Sequence, residues 1–160
     1  MTQTLRPVRL PTVADTLSYG ARIGAVLRAG DLVVLSGPLG AGKTVLVQGI
    51  GAGMGVTGRI ASPTFVLARV HPAQLPGGPP LVHVDAYRLA SLDEVDDLDL
   101  DVDVQGSVTV VEWGAGLVEQ LAESWLAIEL DRAADSEDRT ATLTGHGGDW
   151  AARLRSLEPN

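Results

Sequence analysis

The chain has 160 residues, with 12 Lys and Arg against 20 Asp and Glu, a net charge of −8 and no cysteine. These counts exclude a disulfide framework, a thiol nucleophile and Cys-ligated zinc or iron–sulfur sites, and they argue against a large surface held on tRNA or DNA by phosphate neutralisation. Eleven of the basic residues are Arg and one, Lys43, is the only lysine, so lysine–phosphate or Schiff-base chemistry has a single candidate position.

The length suits a single domain over 1–160, which buries roughly 70% of its unfolded surface. The opening residues MTQTLRPVRLPT contain no apolar signal-peptide core, and the uncharged run from Thr44 to Gly58 is interrupted by glycines. Neither secretion nor a membrane span is expected, and a cytoplasmic location is.

The spacing of Val13, Leu17, Ile23, Val26 and Leu27 predicts a helix over 13–28, with Gly30 ending it. Thr12 stands as its N-cap, with Asp15 in the third position of a capping box. Leu32 to Leu35 is a continuous apolar run, the pattern of a strand buried on both faces of a parallel sheet.

Gly37-Pro38-Leu39-Gly40-Ala41-Gly42-Lys43-Thr44 follows and fits G-x-x-x-x-G-K-[ST], and 44–54 reads as the helix after it. The chemistry dictates these residue types. Glycines let the backbone curl so that successive N–H groups aim at phosphate oxygens at a helix N-terminus; the lysine reaches the β/γ-phosphates, and the Thr hydroxyl ligates Mg²⁺. A chain of this composition holds about 0.002 such matches by chance. The match also lies between a predicted strand and a predicted helix, as the motif requires.

Ser62-Pro63-Thr64 precedes a predicted strand over 65–70, where P-loop switches carry a segment that senses the γ-phosphate; by pattern alone it reads as a plain turn. Residues 71–80, with four prolines and two glycines, read as a loop. Two strands then end in carboxylates, 81–85 at Asp85 and 107–112 at Glu112. A P-loop enzyme needs an acidic residue at the end of a neighbouring strand to organise Mg²⁺, and pattern does not rank these two.

Between them, 93–103 carries seven carboxylates, behind a capping box of Ser91 and Glu94 for a short helix. The acidic run reads as a solvated edge. Trp113 could stack on a nucleotide base or ribose, against the commoner role of a core tryptophan. The three histidines lack metal-ligand spacing and read as structural or surface residues. Strands near 126–130 and 140–144 and a helix over 149–157 complete the prediction. The alternation of strands and helices argues an α/β fold with a largely parallel sheet.

Taken in order, GPLGAGKT, SPTF, HVDAYRL and VVEWG resemble the TsaE (YjeE) family, small ATPases of bacterial tRNA threonylcarbamoyladenosine (t⁶A) synthesis. The likeness runs from the opening helix to about Gly145. The P-loop by itself is generic; SPTF, DAYRL and EW together are specific to the family. The resemblance implies a P-loop NTPase-like three-layer fold whose mixed, largely parallel central sheet also has antiparallel strands.

It implies further that ATP and Mg²⁺ are bound and that ATP is hydrolysed. The implied partners are TsaD and TsaB, which attach the threonylcarbamoyl group to adenosine 37 of tRNAs reading ANN codons. ATP hydrolysis would reset that assembly between turnovers, with tRNA reached only through it and neither membrane nor DNA as a partner. By position, Gly37, Pro38, Leu39, Gly40, Ala41, Gly42, Lys43 and Thr44 would cradle the phosphates, Lys43 with a catalytic part. Thr44 and Glu112 would ligate Mg²⁺, and Asp85 would be the catalytic or water-positioning carboxylate. Ser62 and Thr64 would belong to switch I, while Trp113, Thr16 and Arg139 would lie near the nucleotide. The D-L-D-L-D-V-D-V stretch after Arg88 departs from the mixed, more helical segment usual in the family.

Other P-loop classes fit less well. A small-molecule kinase closes an Arg-rich lid over its phosphates, and no lid-like arginine cluster is present. Guanine recognition through N-K-x-D would need a second lysine, and an ABC-type signature such as LSGGQ is absent. A small P-loop kinase and a nucleotide-dependent binding module with negligible turnover stand as the alternatives.

Overall fold

The computed structural model describes residues 2–38, 41–56, 68–74, 78–85, 106–112, 123–132, 136 and 138–158. In chain order its elements are β1 (Thr2–Thr4), β2 (Val8–Leu10), α1 (Val13–Val26), β3 (Leu32–Ser36), α2 (Lys43–Met54), β4 (Ala68–His71), β5 (Leu81–Asp85), β6 (Val108–Glu112), β7 (Trp125–Arg132), β8 (Arg139–His146) and α3 (Trp150–Arg153), which runs into a 3₁₀ turn over Leu154–Leu157. The strands form one sheet in the order β1-β8-β7-β3-β6-β5-β4, with β2 also paired to β8.

The centre of the sheet is parallel. Strand β3 pairs with β6 on one side and β7 on the other, and β6 pairs with β5. Val33, Val34 and Leu35 of β3 are all buried, as a strand covered on both faces demands. One face packs under α1 and α2 through Val33, Leu35, Val108, Val110, Leu126 and Ile128, against Ile23, Leu46 and Ile50. The opposite face of the parallel strands is buried as well, at Val34 of β3, Val82 and Val84 of β5, and Val111 of β6. The central strands are therefore the middle of a layered α/β fold.

Both flanks are antiparallel: β4 on β5, and β8 on β7 with β1 and β2 beyond it. The mixed, largely parallel α/β architecture expected from the sequence is the one observed. Strands β1 and β2 were not among the predicted elements. They are three residues each, carry Arg9, and are interrupted by Pro7, which has no N–H to donate. Pairing along β8 makes them strands, helped between them by the Leu5 N–H, which donates to the Leu143 carbonyl at 2.9 Å.

Local signals placed several boundaries well. Thr12 has extended dihedrals (φ −130°, ψ 165°), its Oγ1 accepts from the Asp15 N–H, and an Asp15 carboxylate oxygen accepts from the Thr12 N–H. The capping box therefore closes with Asp in the place usually held by Glu. Helix α1 stops at Val26, two residues before the predicted end, because Leu27 already turns to extended backbone. The predicted helix over 149–157 is one α-turn followed by the 3₁₀ turn. Strands β7 and β8 extend beyond their predicted cores to eight residues each, because each supplies the other's ladder. Of the strand predicted over 65–70, residues 68–70 are described and belong to β4; Ser91, Glu94 and the acidic run 93–103 lie outside the described residues. Among the described residues, no helix is long and apolar enough to cross a membrane.

Candidate functional site

The phosphate loop leaves β3 at Ser36 and enters α2 at Lys43. Gly42 is the residue before the helix and has φ +96°, a left-handed conformation that side-chain-bearing residues rarely adopt. Gly42 has no side chain with which to cap α2. A Cβ at Gly37 would collide with the Leu130 carbonyl oxygen of β7, so a glycine there lets the loop run against the neighbouring strand. Leu39 and Gly40 lie outside the described residues.

Lys43 is buried, and its Nζ donates to the carbonyls of Gly37 at 2.6 Å and Pro38 at 3.1 Å. A buried ammonium is costly without such acceptors, and carbonyl oxygens at the start of the loop provide them. Arg139, the first residue of β8, reaches the same loop and donates from Nε to the Ala41 carbonyl at 2.9 Å. The loop is thus braced by one cation from within and one from the antiparallel flank. Thr44 is half-buried in the first turn of α2. Thr16 is buried in α1, where its hydroxyl donates to the Thr12 carbonyl at 3.4 Å.

Strand register brings the two candidate carboxylate positions together. Leu35 of β3 is the partner of Glu112 of β6, and Glu112 is the partner of Asp85 of β5. One row at the C-terminal edge of the parallel strands therefore carries both positions, two residues before the phosphate loop begins. This edge is where open α/β sheets bind ligands. Glu112 is 5% exposed, and its Oε2 lies 2.5 Å from Nε2 of the fully buried His83. Of the expected nucleotide neighbours, Ser62, Thr64 and Trp113 lie outside the described residues; Asp85 is described through its backbone alone.

His83 is the site feature that reading the sequence did not single out. The signal was present: His83 stands two residues before Asp85 in a predicted strand, and residues two apart share a strand face. Its partner comes from a strand 29 positions away, and only register reveals that pairing. Among the described residues, no group of three or more His, Cys, Asp or Glu forms a metal cluster.

A strand, a glycine loop with a left-handed turn and a buried lysine at the head of a helix, set on parallel strands, define a P-loop α/β protein. The family profile described as threonylcarbamoyl adenosine biosynthesis protein TsaE matches residues 10–141. The chain belongs to the TsaE family. It is similar to the tRNA threonylcarbamoyladenosine biosynthesis protein TsaE of Streptomyces coelicolor, 60% identical over 136 residues, or 82% of this chain and 91% of that protein. The protein of the same name from Mycobacterium bovis is 55% identical over 139 residues, covering 83% of each chain. Among solved structures, YdiB of Bacillus subtilis superposes with a TM-score of 0.76 at 29% identity, covering 98% of this chain and 95% of that one.

Proposed function

We infer that this chain is the ATP-binding and ATP-hydrolysing component of the cytoplasmic t⁶A synthesis machinery, a single P-loop domain that works with TsaD and TsaB to sustain turnover. The observation that carries the reading is Lys43, buried behind a left-handed glycine at an uncapped helix start and held by loop carbonyls that a phosphate can replace. Family membership supplies the biological process, t⁶A formation on tRNA. The net charge of −8 agrees with tRNA being gripped by partners rather than by this chain.

In this reading, backbone N–H groups from Gly37 to Thr44 donate to phosphate oxygens, and Lys43 exchanges its carbonyl acceptors for the β- and γ-phosphates. The donor set fits Mg²⁺. Thr44 offers a hydroxyl from the first turn of α2, and Glu112 a buried carboxylate from the strand beside β3. These are hard oxygens, few in number, as suits a cation that keeps phosphate oxygens and waters in its shell. When bound, the ion neutralises charge developing on the phosphates. Asp85, in the same register row as Glu112, orients the attacking water. Arg139 holds the Ala41 carbonyl and with it the shape of the loop. Thr16, Ser62, Thr64 and Trp113 complete the nucleotide surroundings.

Reconstitution tests the reading: phosphate release from ATP and t⁶A formed per complex are measured with and without TsaD and TsaB, and with and without this chain. The expected result is hydrolysis that rises with the partners and repeated t⁶A turnover that depends on this chain. Tight nucleotide binding with no phosphate release in the full system would make it a binding module instead. Phosphate transferred to a small molecule would make it a kinase.

A further inference from the structure

We propose that His83 is a positioning residue of the nucleotide site, fixing the Glu112 carboxylate that ligates Mg²⁺. The proposal rests on the reading of Glu112 as a metal ligand given above, and it concerns the residue that makes this carboxylate competent. His83 is completely buried in β5, and Glu112 is nearly so in the neighbouring β6. Their contact is diagonal. His83 is the register partner of Val110, so its ring reaches one step along the sheet toward the C-terminal edge to meet Glu112.

Three features make the contact more than packing. A glutamate side chain has three rotatable bonds, and ordering it costs conformational entropy when nothing holds it in advance. Nε2 of His83 donates to Oε2 and sets the carboxylate's rotamer before any ligand arrives, leaving Oε1 for the cation. On one side the register neighbours are apolar, Leu35 beside Glu112 and Val110 beside His83, and on the other they are the positions of Asp85 and Arg69. Among the described side chains, His83 is the polar support of this desolvated carboxylate. His83 also belongs to the strand that ends at Asp85, so one short strand carries the water-orienting position and the support for the metal ligand. Partners that orient a metal ligand in this way are worth about 10–100-fold in metal affinity.

The experiment measures affinity for a non-hydrolysable ATP analogue, with Mg²⁺ and in EDTA, for the intact chain and three variants. The readout is the factor by which Mg²⁺ tightens binding; affinity in EDTA reports an intact fold and loop. Glu112→Gln should lose most of that factor. The amide of His83→Gln can donate from near the place of Nε2 and should keep most of it. His83→Asn is polar and folds under the same constraints, but its amide stops short of Glu112, and it should lose about 10-fold or more.

His83→Asn keeping the full factor while Glu112→Gln loses it would overturn the positioning role and leave the metal reading standing. Equal losses in His83→Gln and His83→Asn would also overturn it, since the hydrogen bond would then not be what matters. A full Mg²⁺ factor in Glu112→Gln would instead sink the metal reading itself.

Discussion

Strands β3 and β8 are both well inside the sheet, yet they are built differently. In β3 three successive residues, Val33, Val34 and Leu35, are buried, and the strand ends abruptly in the phosphate loop. In β8 burial alternates: Ala141, Leu143 and Gly145 face the core, while Thr140, Thr142 and Thr144 are half-buried. The parallel centre has both faces covered, and the Glu112 and Asp85 positions share one register row at the ends of its strands. The antiparallel wing has one wet face and is tied down by contacts remote from the site.

Those contacts are of two kinds. Trp150 of α3 is buried, and its indole N–H donates to Ser124 Oγ at 3.1 Å. The Arg153 guanidinium lies 4.0 Å over the Trp150 ring and also donates to Asp31 and to the Val26 carbonyl, which locks the C-terminal turn to the α1–β3 connection. The second kind is exposed, as in the Arg9–Asp138 pair between β2 and the segment before β8, and pairs of that sort contribute little. The division is therefore spatial: the centre carries the candidate site, and the wing is fastened by contacts of its own. The two meet where Arg139 and the Leu130 carbonyl touch the loop.

Substitutions can break or sharpen that division. The largest effect is expected in the wing. Trp150→Ala removes a fully packed indole and should cost about 3–5 kcal/mol of folding stability, read from denaturant unfolding, with nucleotide affinity of the folded fraction kept. A matching loss of affinity would mean that the wing shapes the site after all.

In the centre, Lys43→Ala should weaken ATP binding about 100-fold, or about 2.8 kcal/mol, measured by calorimetry. Its melting temperature should fall less than that of Trp150→Ala. The reverse order would make Lys43 a structural residue. Thr12→Ala, at the cap of α1, should cost about 1 kcal/mol of stability and leave nucleotide affinity unchanged.

The smallest effect is on pH dependence. Burial raises the Tyr19 phenol from its ordinary value of 10.0 to about 12. The folded state thus favours the protonated phenol, and its contribution is complete below pH 10.0 and is lost as pH rises toward about 12. Tyr19→Phe should leave stability at neutral pH nearly unchanged and flatten the alkaline loss, as followed by unfolding at a series of pH values. An unchanged alkaline slope would assign that loss to other groups.

What was legible beforehand follows from how local each signal is. The capping box at Thr12 and Asp15 is a contact across three residues, so the pattern contains the whole interaction. The strand–loop–helix around Lys43 is contiguous, and the positive φ at Gly37 and Gly42 is announced by the glycines of the motif itself. By contrast, β1 and β2 carry too little apolar periodicity to announce themselves, because their stability comes from β8, about 130 residues further on. The resemblance implied antiparallel strands, but that β4 and β8 are the ones that reverse was hidden, since strand patterns carry no arrow.

By itself the sequence determined the α/β class, the phosphate loop and its lysine, and the family to which the chain belongs. Each of these is written in short contiguous motifs. Only the tertiary structure decided how the two acidic positions relate and what Glu112 meets. By pattern Asp85 and Glu112 were two separate strand-end acids, told apart only by the resemblance; register made their positions neighbours and brought His83 to Glu112. The physical reason is that parallel pairing joins residues tens of positions apart, through hydrogen bonds that no local pattern records. Chemistry built on neighbouring strand ends exists only once the sheet has formed.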